Sequence, residues 1–123
     1  MVAVTVAVEF TVRFDASLER GVVVALAGEL DYTNAERLRQ DVVEALPAGG
    51  CDLIMDLTGL TFCDSTGIRV FLALRSLLDE RGGTVALTGL QPRLRRIFHT
   101  TGLVRFFTVL PTVADAVDLL RSR

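Results

Sequence analysis

The segment best suited to chemistry is Asp64-Ser65-Thr66-Gly67, in which a carboxylate precedes two hydroxyl groups. The surrounding pattern predicts a strand that ends near Leu57, then a short loop, then a helix over 66–81. The first N–H groups of a helix lack partners and carry partial positive charge, so they favour polar oxygens or a phosphate. The segment therefore either only caps the helix, a common use of Asp and Ser, or presents Ser65 for modification.

No other residues form the pattern of a catalytic or metal-binding site. Cys51 and Cys63 lack the spacing of metal ligands, and we expect both to be buried as small apolar side chains. Ser65 is not in a G-x-S-x-G motif, and a chain without Lys cannot form a Walker phosphate loop. His99 falls near the end of a predicted helix, where it complements the helix dipole. We expect no enzyme, no metal and no cofactor.

The composition is that of a globular regulatory or binding domain. The 123 residues fit one domain, 1–123, and half of them are apolar, which is enough for a core. A formal net charge of -2 with mixed acids and bases argues against nucleic-acid binding. The chain has no apolar run long enough to span a bilayer and no basic segment typical of a signal peptide, so we expect a cytoplasmic protein.

Hydrophobic periodicity predicts the elements that position this segment. Every even residue from Val2 to Phe14 is apolar, which predicts one strand with a buried face, paired in an antiparallel hairpin with 22–27. Thr33-Asn34-Ala35-Glu36 and Thr112-Val113-Ala114-Asp115 resemble capping boxes. Gly82-Gly83 and Gly102 are typical helix stops. The predicted strands are 2–14, 22–27, 53–57, 84–87 and 106–110, and the predicted helices start near 34, 66, 92 and 113.

After the hairpin, strands and helices alternate, which favours parallel pairing with right-handed crossovers. The predicted fold class is therefore α/β, with a mixed, mostly parallel sheet and helices packed on it.

Five short segments, in this order and spacing, resemble the STAS domain. The similarity extends from about Phe10 to Val117 and is greatest to the stand-alone bacterial anti-sigma factor antagonists. The segments are Gly28-Glu29-Leu30-Asp31, Asp56-Leu57-Thr58, Phe62-Cys63-Asp64-Ser65-Thr66-Gly67, Gly82-Gly83 and Thr101-Gly102-Leu103.

The resemblance implies a partner-switching module. In that family, the unphosphorylated antagonist binds an anti-sigma factor that is also a serine kinase, and binding releases a sigma factor. Phosphorylation of the serine after the motif aspartate, here Ser65, ends the complex, and a PP2C-type phosphatase reverses it. The residues expected to contact the partner are Asp31, Asp64, Thr66, Gly67 and Arg69. The resemblance leaves an alternative open, in which the domain is a structural subunit of a lipid-transport complex or a stressosome-like assembly.

The sequence departs from the family pattern at two positions. Arg69 stands where many members have Gly, and at four residues after Ser65 it is expected to lie on the same helix face. There it either reaches the partner, pairs with the phosphate or remains a solvated side chain. Cys63 stands where a bulkier apolar residue is common, and we interpret it as buried, with a redox role as the alternative.

Overall fold

The computed structural model describes residues 2–5, 8–15 and 18–122. Within these residues, six strands and four α-helices follow one another, with one 3₁₀ turn before the last strand. The strands are β1 (Val2–Thr5), β2 (Val8–Phe14), β3 (Gly21–Leu30), β4 (Asp52–Cys63), β5 (Val85–Thr88) and β6 (Thr108–Leu110). The helices are α1 (Ala35–Ala45), α2 (Ser65–Glu80), α3 (Pro92–Thr100) and α4 (Val113–Arg121), and the 3₁₀ turn is Leu103–Arg105.

The strands form one sheet in which spatial order follows chain order, β1-β2-β3-β4-β5-β6. β1 pairs with β2 and β2 with β3 in antiparallel fashion, and the remaining neighbours are parallel. This mixed, mostly parallel sheet with helices confirms the predicted α/β class and the hairpin between β2 and β3.

Helices cover both faces of the sheet because alternate strand residues point to opposite sides. On one side, Val22 and Val24 of β3 lie in the same core as Leu38 of α1 and Phe71 of α2. On the other side, the intervening residues pack against α4. This second cluster contains Val23, Ile54, Ala86, Ala116, Val117 and Leu120.

The bounds of the predicted strands differ from those in the structure. The predicted strand 2–14 is two strands, with Thr5 of β1 opposite Val8 of β2, and Val6 lies outside the described residues. Phe14 was expected in the core, but 69% of it is exposed. The predicted strand 106–110 begins only at Thr108, because Phe106 caps the 3₁₀ turn and a bend at 106–107 separates that turn from β6.

The difference that matters most for the site concerns β4, which was predicted to end near Leu57 but continues to Cys63 without the expected loop. The register between β3 and β4 shifts twice, and at each shift β4 has one residue more than β3. Such bulges twist a strand without ending it. Gly28, at the second shift, has a φ of 104°, a conformation that favours glycine. Pairing thus continues to its last partners, Leu30 and Cys63.

The helix caps agree with the prediction at α4 and not at α1. The N–H of Asp115 donates to Oγ1 of Thr112 at 3.1 Å, as expected for a cap. α1 begins after Asn34, and its cap residue makes no side-chain hydrogen bond to the first turn. The capping box predicted at Thr33 is therefore wrong, because the Thr33 hydroxyl donates to Oδ1 of Asp31 instead.

Candidate functional site

The candidate site lies where β3 and β4 end side by side. Leu30 and Cys63 are paired, and the N–H of Asp64 donates to the Leu30 carbonyl at 3.2 Å. Asp31 and Asp64 therefore both follow directly after paired strand ends. Only Asp64 separates β4 from α2, so Ser65 is the first residue of the helix. The carboxyl ends of neighbouring parallel strands are a common place for binding sites in α/β proteins.

Asp64 connects two parts of the site through its carboxylate. Oδ1 accepts the N–H of Gly67 at 3.0 Å, which makes Asp64 the N-cap of α2. Oδ2 accepts the N–H of Tyr32, also at 3.0 Å, from the connection between β3 and α1. The cap satisfies one of the free N–H groups at the start of the helix. Its second bond fixes Tyr32 and the residues around it against α2.

The connection between β3 and α1 is ordered by a second set of hydrogen bonds. Oδ1 of Asp31 accepts the N–H of Thr33 at 2.9 Å and also its hydroxyl. Both bonds lower the pKa of Asp31, and the bond from the Thr33 hydroxyl has the larger effect, so this carboxylate stays charged at neutral pH. Asn34 is buried, accepts the N–H of Asp31 at 3.0 Å and donates to the Glu29 carbonyl at 2.9 Å.

Ser65 and Thr66 differ in how far they reach the solvent. Ser65 is exposed and Thr66 is half-buried. Within the described part of the chain, the Ser65 hydroxyl has no hydrogen-bond partner, so nothing in it must break for a modifying enzyme to reach it. Arg69, one turn further along α2, is exposed as well.

Gly67 is buried and allows α2 to lie close to the sheet. A Cβ at this position would be 2.6 Å from Sγ of Cys63 and 2.9 Å from Cγ of Leu30. Nonbonded carbon and sulfur atoms do not approach so closely, so a side chain at this position would force the backbone or the neighbouring side chains to shift. Gly67 has no side chain to contact a partner, but its small size sets the distance between the helix start and the ends of β3 and β4.

Cys63 and Cys51 are free thiols and buried, as predicted. Burial raises the pKa of the Cys63 thiol to about 12, and the neighbouring Asp64 carboxylate adds to the effect. Burial also raises the pKa of Cys51. Because the thiolate is the reactive form, both side chains are poor nucleophiles at neutral pH.

Two exposed aromatic side chains beside the ends of β3 and β4 were not identified from the sequence. Tyr32, in the connection between β3 and α1, is 78% exposed, and Phe62, near the end of β4, is 41% exposed. Phe62 also borders a small cavity between β4 and α3, which is lined in part by Leu60, Cys63, Arg93, Leu94 and Ile97. An aromatic residue directly after the Gly28–Asp31 motif was the available signal for Tyr32. Exposed aromatic groups are frequent anchors in protein interfaces.

Within residues 2–5, 8–15 and 18–122, no group of three or more His, Cys, Asp or Glu side chains could hold a metal ion. In the same residues, no helix is both long enough and apolar enough to cross a membrane. His99 is exposed in the last turn of α3.

Comparison with known proteins agrees with this architecture. The model of the STAS domain family matches residues 10–116. The anti-sigma F factor antagonist of Paenibacillus polymyxa is 32% identical over 103 residues, which are 82% of this chain and 86% of that protein.

Two solved structures are also similar. An anti-sigma factor antagonist from Mycobacterium paratuberculosis has a TM-score of 0.80 and 27% identity, with 93% of this chain and 94% of that chain covered. The phosphorylated form of the Bacillus cell fate determinant SpoIIAA has a TM-score of 0.68 and 28% identity, covering 93% and 99%.

Proposed function

Because this chain belongs to the STAS domain family, and its relatives are anti-sigma factor antagonists, we propose that phosphorylation of Ser65 controls its binding to a partner. In its unphosphorylated form the protein binds an anti-sigma factor that is also a serine kinase, and a sigma factor is released. Phosphorylated Ser65 ends that complex, and a PP2C-type phosphatase restores the binding form. The protein acts in the cytoplasm as a binding regulator.

The observation that carries this proposal is the exposed hydroxyl of Ser65 at the first position of α2. A kinase can reach this group, and the helix N-terminus tolerates the phosphate that results. The similarity to a protein whose structure has been solved in a phosphorylated form gives independent support.

Charge explains how one phosphate can switch binding without refolding. A phosphate adds about −1.5 to −2 charges at neutral pH. It joins the carboxylate of Asp64, which accepts the N–H of Tyr32, the residue that follows the charged Asp31. In the free protein, water solvates this group of negative charges. In a complex the same charges lose their water and face the partner. Their desolvation weakens binding to a closely packed partner surface, and like-charge repulsion weakens binding to an acidic one.

We propose that the partner surface includes Asp31, Asp64, Thr66 and Arg69 together with the exposed rings of Tyr32 and Phe62. Gly67 contributes by holding α2 at the right distance from the sheet. The two exposed rings add apolar area to this surface, and aromatic side chains are enriched in protein interfaces.

The test begins with the serine kinases of the histidine-kinase-like ATPase type encoded in the same genome. Each is incubated with the protein and ATP, and the modified residue is located by mass spectrometry. Phosphate is expected on Ser65, to be absent from Ser65→Ala, and to remain in the matched control Thr66→Ala. Phosphate found only on Thr66, or on neither residue with any of these kinases, would refute the assignment.

Binding to the same kinase is then measured by calorimetry without ATP. Ser65→Ala is expected to bind like the unmodified protein, and Ser65→Asp to bind more weakly, since Asp carries part of a phosphate's charge. If Ser65→Asp binds as tightly as Ser65→Ala, charge at this position does not control the complex.

A further inference from the structure

We propose that Arg69 is a positioning residue that forms an ion pair with the phosphate on Ser65, an inference that rests on the proposed phosphorylation of this serine. The pair forms only in the phosphorylated protein, so Arg69 acts on the switched-off state and not on the fold.

The pairing of the other arginines in α1, α2 and α4 suggests this role. Each has an acidic residue three or four positions away on its own helix, the spacing at which side chains on one face meet. The pairs are Arg37 with Asp41 at 3.4 Å, Arg39 with Glu36, Arg75 with Asp79 at 3.7 Å, and Arg121 with Asp118 at 3.3 Å.

Arg69 lacks such an acidic neighbour. Three and four residues away along α2 lie Leu72 and Ala73 on one side and Ser65 and Thr66 on the other. Arg69 is exposed, and within the described residues it has no ion pair. Of the side chains at pairing distance, Ser65 is the exposed one that can become an anion. Phosphorylation of Ser65 would therefore complete the pattern that the other arginines of α1, α2 and α4 already show.

The geometry of the helix favours this pair. An acid placed four residues before a base is the more stabilising order on a helix. The planar guanidinium can donate two parallel hydrogen bonds to phosphate oxygens. Asp64 precedes Arg69 by five residues, outside the spacing of three or four at which side chains on one helix face meet, and its carboxylate is held by the N–H groups of Gly67 and Tyr32.

The test uses protein with phosphoserine incorporated at position 65 during translation, so that no kinase is needed. The second pKa of the phosphate is measured by phosphorus NMR titration at low salt in four proteins. They are the unsubstituted chain, Arg69→Gln, Arg69→Lys and the matched control Arg75→Gln on the same helix. The carboxylates of Asp64, Asp31 and Glu29 and the cation of Arg93 are present in all four, so the difference between proteins isolates the substituted arginine.

A neighbouring cation stabilises the dianionic phosphate, so the phosphate pKa should be higher in Arg69→Gln than in the unsubstituted protein. The expected rise is about 0.3 to 0.7 units, the size of an exposed ion pair, and it should shrink at high salt. Arg69→Lys should keep part of the effect, and Arg75→Gln should show none. Equal pKa values for the unsubstituted protein and Arg69→Gln, or an equal rise in Arg75→Gln, would overturn the proposal.

The outcome is separable from that of the proposed function. If the phosphate pKa shifts as expected but none of the kinases modifies Ser65, the ion pair stands and the regulatory role fails. If Ser65 is phosphorylated and switches binding without any shift in Arg69→Gln, the regulatory role stands and Arg69 has no part in it.

Discussion

Replacing Gly67 with Ala tests whether the site depends on the close approach of α2 to the sheet. The added Cβ would lie 2.6 Å from Sγ of Cys63 and 2.9 and 3.0 Å from Cγ and Cδ2 of Leu30. Both neighbours are buried and are paired with each other across β3 and β4. The close contacts are relieved only if these side chains or the first turn of the helix shift.

The cost can be worked out from opposing effects. Overpacking a buried site typically costs about 1–3 kcal/mol. A shift of residue 67 also weakens the bond from its N–H to Asp64, and loss of an N-cap costs about 1 kcal/mol. The better helix propensity of Ala offsets up to about 1 kcal/mol. The net expectation is a decrease of about 1–3 kcal/mol in the free energy of unfolding.

Urea denaturation followed by circular dichroism measures this decrease. The denaturant slope should stay unchanged, since the substitution alters the folded packing and not the surface exposed on unfolding. Cys63→Ala and the double variant complete a mutant cycle. Removing the sulfur relieves the closest contact, so the double variant should be more stable than the sum of the single effects by about 1 kcal/mol. If Gly67→Ala is as stable as the original protein, the packing constraint at this position is not real.

Two further predictions concern Asp64 and Cys63, the two residues that precede Ser65. Asp64→Ala removes the acceptor of two backbone N–H groups and should lower the free energy of unfolding by about 1–2 kcal/mol. Asp64→Asn keeps one oxygen acceptor and should lower it less. Equal urea midpoints for both variants would contradict the double role of Asp64. The pKa of Cys63 is raised from 9.0 to about 12 in the folded protein, so the unfolded chain loses its thiol proton first and stability should fall as pH rises above 9. Comparing urea unfolding at pH 7.5 and 10.5 should show a smaller fall in Cys63→Ala than in the original protein, and identical falls would refute the burial argument.

Much of the fold could be predicted because its signals are local. The alternation that marks β2, the continuous apolar run of β3 and the helical spacing of α1 and α2 all lie within short windows. The start of α2 was located to within one residue, since Asp and Ser before an apolar helical pattern have a direct physical reason to be there. The stop at Gly82, with a φ of 78°, follows from the same kind of local argument.

What the sequence did not reveal depends on contacts between distant residues. Gly59 does not favour a strand, yet β4 continues through it because β3 provides a partner, Ala27. The second bond of Asp64 goes to Tyr32, far away along the chain. The alternation of apolar residues correctly predicted that Phe14 lies in a strand. Its burial depends on whether a helix covers that end of the strand, and Phe14, the last residue of β2, is exposed.

The order of the strands in the sheet also bears on how the protein is made. Because each strand pairs with the one that precedes it in the chain, a growing chain can add strands one at a time to an existing edge. No strand has to enter between two others, and each closure spans only one connection, which keeps its entropy cost low. During synthesis, β3, α1, β4 and α2 can come together before β5 has left the ribosome. The pairing of Leu30 with Cys63 and the cap at Asp64 need only these elements, so the surface around Ser65 can form before the C-terminal third of the chain exists.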